Sequence, residues 1–227
     1  MQTPPIVSRA DWNAAHAELL KKEKALTRAR DALAAERRRL PWMEVDGTYK
    51  FVGPEGEVSL ADLFADRRQL IVYRAYMDPD VMRWPDQGCV GCSLMADHVP
   101  KLVHLNARNT SLVYVSRGSQ EELTQLRAKM GWEHIPWYTF TGSFDADFDV
   151  GEWHGHNAFI RDGDRIFRTY FINDRGDEVF VPTWAWLDMT ALGRQETWED
   201  SPEGYPQESA YSWWNYNDSY PAAPEQI

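Results

Sequence analysis

The chain has 227 residues, enough for one domain with a substantial buried core. Its 35 Asp and Glu outnumber 24 Lys and Arg and give a formal net charge of -11, which argues against nucleic-acid binding because phosphates require clustered cations. No apolar run approaches the roughly 20 residues that span a bilayer and the N-terminus lacks a signal pattern, so we expect no membrane partner and a cytoplasmic location.

Residues 1–40 are predicted to form a helical arm. A capping-box pattern of Ser8 and Asp11 opens the helix, which ends before Pro41. Every seventh residue is apolar while the companion heptad positions are weak, so the helix has one apolar edge instead of the two that a coiled coil needs. That edge consists of Trp12, Leu19, Leu26, Leu33 and Leu40. We expect the arm to pack on its own domain or to join a second subunit in a homodimer.

Residues 41–200 alternate between strand and helix patterns. The segment from Gln69 to Met77 is the strongest strand, nearly continuous in large or β-branched residues. A helix that continues through Leu105 and a strand from Ser111 to Ser116 complete a β-α-β unit, which requires a parallel strand pair. A second helix, a further strand and a hairpin turning at Asp162-Gly163 follow. The order of these elements predicts an α/β fold.

The two cysteines of the chain, Cys89 and Cys92, form a CxxC pattern between the strongest strand and the next helix. Open α/β sheets bind ligands at this edge. Backbone N–H groups and the dipole at a helix N-terminus stabilise a thiolate, and two intervening residues let the second sulfur displace a mixed disulfide on the first. The pattern predicts a redox-active dithiol in a reducing compartment. The alternative is a pair of small buried hydrophobic residues or a structural clip.

Residues next to the cysteines are candidates for substrate contact. Gly88 and Gly91 leave the backbone bare beside both sulfurs, so a bulky partner can approach. Trp84 begins the same loop and is a third substrate-binding candidate. The predicted substrate is a disulfide-containing protein or a small-molecule thiol or disulfide, and the sequence does not identify the electron donor.

Several segments resemble known families. The lead-in "EGEVSLADLF", the strand, the CxxC pattern and the helix resemble the thioredoxin-like superfamily, and the lead-in is similar to that of peroxiredoxins. The segments "GCVGCS", "HLNARNTSLVYVSR", "MGWEHIPWYTF", "IRDGDRIFRTYF" and "LDMTALGRQETW" resemble an uncharacterised bacterial family labelled predicted dithiol-disulfide oxidoreductases. This resemblance implies a thioredoxin-like fold, with a central mixed sheet flanked by helices, in which Cys89 attacks the substrate and Cys92 resolves the mixed disulfide.

The resemblance assigns further residues. It places Pro136 at the position of the cis-proline that faces the dithiol, with Ile135 before it, while an ordinary trans proline at a strand entrance is the alternative. Thioredoxin's buried aspartate has no obvious counterpart. Arg74 and Asp97 are instead candidates for tuning the cysteine pKa, although Arg74 can also pair with a carboxylate and helical acids are usually solvated.

Peroxiredoxins suggest a rival chemistry. The spacing of Pro85, Cys89 and Cys92 follows the peroxiredoxin pattern P-x-x-x-[TS]-x-x-C, with a cysteine at the Thr/Ser position. In this alternative Cys92 attacks a peroxide, passes through sulfenic acid and is resolved by Cys89. The missing hydroxyl argues against efficient peroxide reduction.

Metal binding is a further alternative. Cys89, Cys92, His154 and His156 match zinc in ligand type, but their spacing is poor, and the histidines fit a polar rim near the dithiol or a solvated loop equally well. Ser93 stands where haem attachment requires histidine. We therefore predict no metal and no bound organic cofactor.

Residues 201–227 form an aromatic C-terminal tail, including "YPQESAYSWWNYNDSY". Clustered Trp and Tyr are typical of contact surfaces, so a non-catalytic binding role is an alternative function. Because large exposed aromatic patches are rare on monomers, we favour a tail that wraps its own domain. The sequence thus predicts a cytoplasmic thioredoxin-like thiol oxidoreductase.

Overall fold

The structure is a computed structural model that describes residues 3–81, 83–148, 150 and 154–221. The first two residues of the predicted arm, residues 151–153 next to the histidine pair, and residues 222–227 of the predicted tail lie outside the described part. The helices are α1 (Arg9–Arg37), α2 (Val90–Asp97), α3 (Val103–Asn106), α4 (Gln120–Met130), α5 (Phe144–Asp147) and α6 (Pro182–Asp188). Two 3-10 helices span Asp62–Phe64 and Asp174–Phe180.

Eight strands form one mixed sheet. They are β1 (Met43–Val45), β2 (Lys50–Gly53), β3 (Gly56–Ser59), β4 (Gln69–Arg74), β5 (Thr110–Ser116), β6 (Trp137–Phe140), β7 (Gly155–Asp162) and β8 (Arg165–Ile172). Their order is β1-β8-β7-β4-β5-β6-β2-β3. The β4/β5 and β5/β6 pairs are parallel, and β4 pairs with β7 in the antiparallel sense. The predicted α/β fold with a central mixed sheet flanked by helices is confirmed.

The central strand β4 separates two cores. Tyr73 belongs to the cluster that contains Cys92, which we call the cysteine-side core, and Leu70 and Val72 belong to a phenylalanine-rich cluster on the other face. Successive side chains of a strand point to opposite faces, so this division follows from the sequence of β4. The strand positions Tyr73 beneath the cysteine loop, where it contributes to the site.

Local sequence signals set several boundaries as predicted. Ser8 caps α1, accepting a hydrogen bond from the Asp11 backbone N–H at 3.2 Å. Ser119 and Glu122 form a complete capping box at α4. Gly163 adopts φ +61° in the turn between β7 and β8, a conformation that glycine reaches without strain.

The predicted helix through Leu105 is interrupted. Helix α2 ends at Asp97 and α3 begins only at Val103. Pro100 lies in this gap, and proline cannot donate the backbone hydrogen bond that a continuous helix would require. The prediction of one continuous helix was therefore wrong.

The apolar edge of α1 is uncovered. No residue of α1 is buried, and the side chains of Trp12, Leu19, Leu26, Leu33 and Leu40 are 45–58% exposed. Packing of this edge on the chain's own domain is therefore wrong, and a homodimer through the arm stays a prediction. Within the described residues, no helix has the length and apolar character needed to cross a membrane.

Candidate functional site

The two cysteines lie at the start of α2, beyond the carboxyl end of β4. Cys89 is the N-cap residue, and its Sγ accepts a hydrogen bond from the Cys92 backbone N–H at 3.5 Å. The last residue of β4, Arg74, pairs with Gly155 at the start of β7. The segment that enters β7, which includes His154, therefore reaches the same edge of the sheet as the cysteines.

Cys89 is the more acidic of the two thiols. Hydrogen bonding from the Cys92 thiol lowers the pKa of Cys89 to about 6, opposed by burial and assisted by the backbone N–H groups of Cys92 and Gly91 and by the charge of His154. A thiol with this pKa is about nine-tenths ionised at pH 7. Cys89 is partly exposed, so its thiolate is both populated and reachable.

Cys92 has the opposite character. It is 2% exposed, and its Sγ lies 3.4 Å from the Tyr73 hydroxyl and 3.2 Å from the Tyr76 backbone N–H, both of which donate to it. The hydrogen bond to Cys89 and burial raise the pKa of Cys92 well above its usual value. At neutral pH the pair thus holds one ionised and one protonated sulfur, which suits Cys89 to attack first and Cys92 to follow.

A cavity of about 620 Å³ opens at the cysteines. Its walls come from α2, β4, the entry to β7, the 3-10 helix Asp174–Phe180, α6 and the C-terminal tail. The lining residues are Tyr73, Cys89, Val90, Gly91, Cys92, Met95, His154, Asp174, Arg175, Asp177, Glu178, Trp184, Tyr211 and Trp214. Both cysteines belong to this wall, so a molecule in the cavity lies beside the dithiol.

A carboxylate lies between two imidazoles at the cavity. Nδ1 of His154 and Nδ1 of His156 are each 3.6 Å from Oδ2 of Asp177, and Asp177 is 4% exposed. The Asp177 carboxylate raises the pKa of His154, whereas burial lowers the pKa of His156. The raised pKa increases the imidazolium fraction of His154, and an imidazolium stabilises a nearby thiolate, whereas the lowered pKa of His156 favours its neutral form.

The C-terminal tail closes one side of the cavity. Tyr216 donates its hydroxyl to the Gly88 carbonyl at 2.5 Å, and the Asn217 amide donates to Asp97 Oδ1 at 2.6 Å. Buried Glu196 accepts hydrogen bonds from the Trp213 indole at 2.7 Å and the Tyr211 backbone at 2.9 Å. These contacts fix the described part of the tail on its own domain and bring Trp214 to the cysteine loop.

Comparison with known proteins identifies the family of the chain. Residues 1–220 match the family described as "Bacterial protein of unknown function (DUF899)". The chain belongs to this bacterial family. No curated protein matches the sequence of this DUF899 member.

Several solved structures are similar to part of this chain. A thioredoxin-like protein from Aeropyrum pernix is 14% identical, with 61% of this chain and 84% of that chain covered, at a TM-score of 0.37. A secreted Mycobacterium tuberculosis disulfide oxidoreductase homologous to E. coli DsbE is 12% identical. The match covers 56% of this chain and 84% of that chain, at a TM-score of 0.35. A mutant of Xanthomonas campestris peroxiredoxin Q is 15% identical. The match covers 65% of this chain and 98% of that chain, at a TM-score of 0.37.

The loop residues predicted to contact substrate have mixed positions in the DUF899 chain. Gly91 lines the cavity, and a Cβ there would lie 3.1 Å from the Trp214 ring, so the glycine admits the chain's own tail. A Cβ on Gly88 would overlap the Met77 sulfur, which makes Gly88 a packing requirement. Trp84 packs on the cysteine-side core and does not line the cavity.

The predicted cis-proline position was wrong. The Ile135-Pro136 bond is trans, and the cis bond within the described residues is Trp84-Pro85. Ile135 is fully buried in the cysteine-side core, and the Pro136 carbonyl accepts from the Tyr114 backbone at 2.8 Å beside β5. After α4 the chain forms β6, which pairs in parallel with β5 on the side away from β4. The antiparallel neighbour of β4 is β7, so His154 occupies the place predicted for Pro136.

The two candidates for pKa tuning are engaged elsewhere. Arg74 is fully buried and forms ion pairs with Asp78 at 2.6 Å and Asp145 at 2.8 Å, over the Phe140 ring. Its position in β4 directs it to the face opposite Tyr73, and the two carboxylates hold its charge there. Asp97 ends α2 and accepts from the Trp132 indole at 2.7 Å. Burial raises the pKa of Asp97, which links helix and tail away from the cysteines.

The zinc alternative gains no support from the geometry. Among the residues that the structure describes, no group of three or more His, Cys, Asp or Glu is arranged to hold a metal ion. Of the two histidines, His154 forms part of the cavity rim, in line with the alternative assignment as a polar rim.

Several residues that line the cavity could not be identified from the sequence. Asp177, Trp184 and Tyr211 carried no motif and are distant from the cysteines in sequence. The aromatic composition of the tail was the available signal for Trp214, because a tail that covers its own domain must place those rings against it.

Proposed function

We propose that the protein is a thiol-disulfide oxidoreductase in which Cys89 attacks and Cys92 resolves. The observation that carries this proposal is the contrast between the two sulfurs: Cys89, with a pKa of about 6, opens on a cavity, and Cys92, with a raised pKa, is buried next to it. Disulfide reduction by a dithiol uses one ionised sulfur to form the mixed disulfide and a second sulfur to displace the substrate from it.

The first step forms a mixed disulfide. The Cys89 thiolate attacks one sulfur of the substrate disulfide, a Cys89–substrate S–S bond forms, and the substrate S–S bond breaks. The electron pair of the broken bond leaves on the other substrate sulfur as a thiolate. His154 lies at the cavity with a raised pKa and supplies the positive charge that stabilises the attacking thiolate.

The second step releases the product. Cys92 gives its proton to the departed thiolate and attacks the Cys89 sulfur, so that a Cys89–Cys92 disulfide forms and the second substrate thiolate leaves. The substrate gains two electrons and the dithiol loses two. An external thiol or dithiol then reduces the enzyme disulfide. The proposal keeps the predicted cytoplasmic location, where such donors maintain thiols in the reduced state.

The peroxidase alternative requires Cys92 to act first. Its burial, and a pKa raised well above the usual value, oppose that order because the thiolate is the nucleophile. A Cys89→Ser variant that still consumed peroxide would favour the alternative.

Turnover of a disulfide with dithiothreitol as donor tests the proposal. The chain contains no further cysteine, so each single variant isolates one sulfur. We expect Cys89→Ser to lose turnover and, when dithiothreitol is omitted, Cys92→Ser to stop at a mixed disulfide on Cys89. Equal activity of Cys89→Ser and wild type, or a wild type that reduces no disulfide, would overturn the proposal.

A further inference from the structure

We propose, on the basis of the proposed function, that the substrate is a small uncharged aromatic disulfide that binds inside the cavity, and that disulfides of folded proteins are poor substrates. Small-molecule sites have volumes of about 300–1,000 Å³ and are lined mainly by apolar and aromatic side chains. The cavity of about 620 Å³ at the dithiol lies within that range.

Aromatic rings form the wall that faces α2. The ring centroids of Trp184 and Trp214 are 5.5 Å apart, and those of Tyr211 and Trp214 are 4.4 Å apart. Aromatic side chains stack with flat apolar groups at these spacings. Because Trp214 packs at Gly91, directly between the cysteines, a flat ring bound against this wall lies beside Cys89.

The wall is anchored to the domain, which restricts larger partners. Tyr211 donates its hydroxyl to Glu178 at 3.2 Å, and the neighbouring Trp213 and Tyr216 are held by Glu196 and the Gly88 carbonyl. A folded protein would have to displace this segment to present a disulfide to Cys89. Such displacement breaks several hydrogen bonds that a small molecule leaves intact.

The charges at the cavity disfavour anions. Asp174, Asp177 and Glu178 line it, against the cations Arg175 and His154, and the Cys89 thiolate adds a further negative charge. Glu178 is paired with Arg175 at 3.2 Å and with Arg194 at 3.1 Å, so Asp174, Asp177 and the Cys89 thiolate set the negative charge of the cavity against His154. Like charges repel more strongly where water is excluded, so an uncharged disulfide binds better than a carboxylated one.

Three disulfides test this inference: neutral dithiodipyridine, its carboxylated analogue dithiodinicotinic acid, and insulin. The rate of each with the reduced protein is divided by its rate with free N-acetylcysteine thiolate, which removes differences in intrinsic reactivity. We expect the corrected rate for dithiodipyridine to exceed the other two by about tenfold or more, equivalent to about 1.4 kcal/mol. Corrected rates for insulin equal to those for dithiodipyridine would overturn the inference and leave the proposed function intact.

Matched tryptophan variants locate the effect. Trp214→Ala removes a cavity wall, whereas Trp186→Ala removes an indole that is 65% exposed on α6 and does not line the cavity. We expect the preference for dithiodipyridine to fall about tenfold in Trp214→Ala and to persist in Trp186→Ala. An unchanged preference in Trp214→Ala would refute the aromatic wall as the binding element.

A second measurement uses the wild-type protein alone. Dipyridylethane has the two rings of dithiodipyridine without the S–S bond, and we expect it to slow alkylation of Cys89 in a saturable manner. Absence of protection contradicts binding in the cavity. If Cys89 reacted with no disulfide at all, the proposed function would fail instead, so the two failures are distinguishable.

Discussion

The hydrogen bond between the two thiols gives a quantitative prediction. It is the largest cause of the lowered pKa of Cys89. The Cys92→Ala variant removes this donor, whereas Cys92→Ser keeps a hydroxyl that can donate to the Cys89 thiolate. Alanine should therefore raise the pKa of Cys89 more than serine does.

The size of the effect follows from the energy of the lost contact. A hydrogen bond to a charged group contributes about 1.5–3 kcal/mol, and one pKa unit corresponds to about 1.4 kcal/mol. The pKa of Cys89 in Cys92→Ala is thus expected to rise by about one to two units. At pH 7 the thiolate fraction would fall from about nine-tenths to between about one half and one tenth.

The assay is the rate of iodoacetamide alkylation as a function of pH, which reports on Cys89 alone in either variant. We expect a midpoint of about 6 for the wild type, an intermediate midpoint for Cys92→Ser, and the highest for Cys92→Ala. A midpoint that stays at about 6 in Cys92→Ala would refute the assignment of the low pKa to the neighbouring thiol.

Four further predictions concern the surroundings of the site. Replacing the buried cation in Arg74→Met removes the ion-pair partner of buried Asp78 and leaves Asp145 with Arg117 at 3.1 Å. The free energy of unfolding in urea should fall by about 3–5 kcal/mol, and a loss below about 1 kcal/mol contradicts this. Glu196→Gln weakens the anchor of the tail, so a bulky maleimide should modify Cys89 faster, and an unchanged rate argues against a covering tail. His154→Gln removes a positive charge near Cys89 and should raise the pKa of Cys89, by less than Cys92→Ala does. A lower pKa of Cys89 in His154→Gln would contradict this prediction. The predicted homodimer should dissociate in Leu26→Glu, by sedimentation equilibrium, and a persisting dimer excludes the α1 edge as its contact.

The position of the dithiol could be predicted from sequence because it depends on neighbouring elements. A buried strand, a loop that ends in a CxxC pattern, and a helix that begins at this pattern place Cys89 at a helix N-terminus independently of the rest of the sheet. Which sulfur attacks first did not follow from the pattern and rested on the family resemblance, because it depends on the burial of Cys92 against Tyr73.

The partners of the dithiol were harder to predict because they depend on sheet order. The sequence after α4 contains two strand candidates, and periodicity does not tell which one pairs with β4. The assignment of Pro136 assumed that the first of these strands, β6, pairs with β4. The strand that pairs with β4 is β7, and it brings His154 to the site. Arg74 likewise points away from the cysteines because strand alternation, set by Tyr73 facing Cys92, fixes its face.

The cavity wall could not be predicted at all from local patterns. Trp184 and Trp214 lie far along the chain from Cys89, and tertiary contacts of the tail, such as that of Tyr216 with the Gly88 carbonyl, determine where it packs. Composition indicated that the tail covers something, but not that it covers the dithiol.

The redox equilibrium of the cysteine pair tests the central claim most directly. The protein is equilibrated in buffers of reduced and oxidised dithiothreitol or glutathione, alkylated, and analysed by intact mass. We predict one two-electron transition between a dithiol and a Cys89–Cys92 disulfide, absent in both single variants. A protein that never forms this disulfide, or that accumulates only a mixed disulfide on Cys89, would contradict the account.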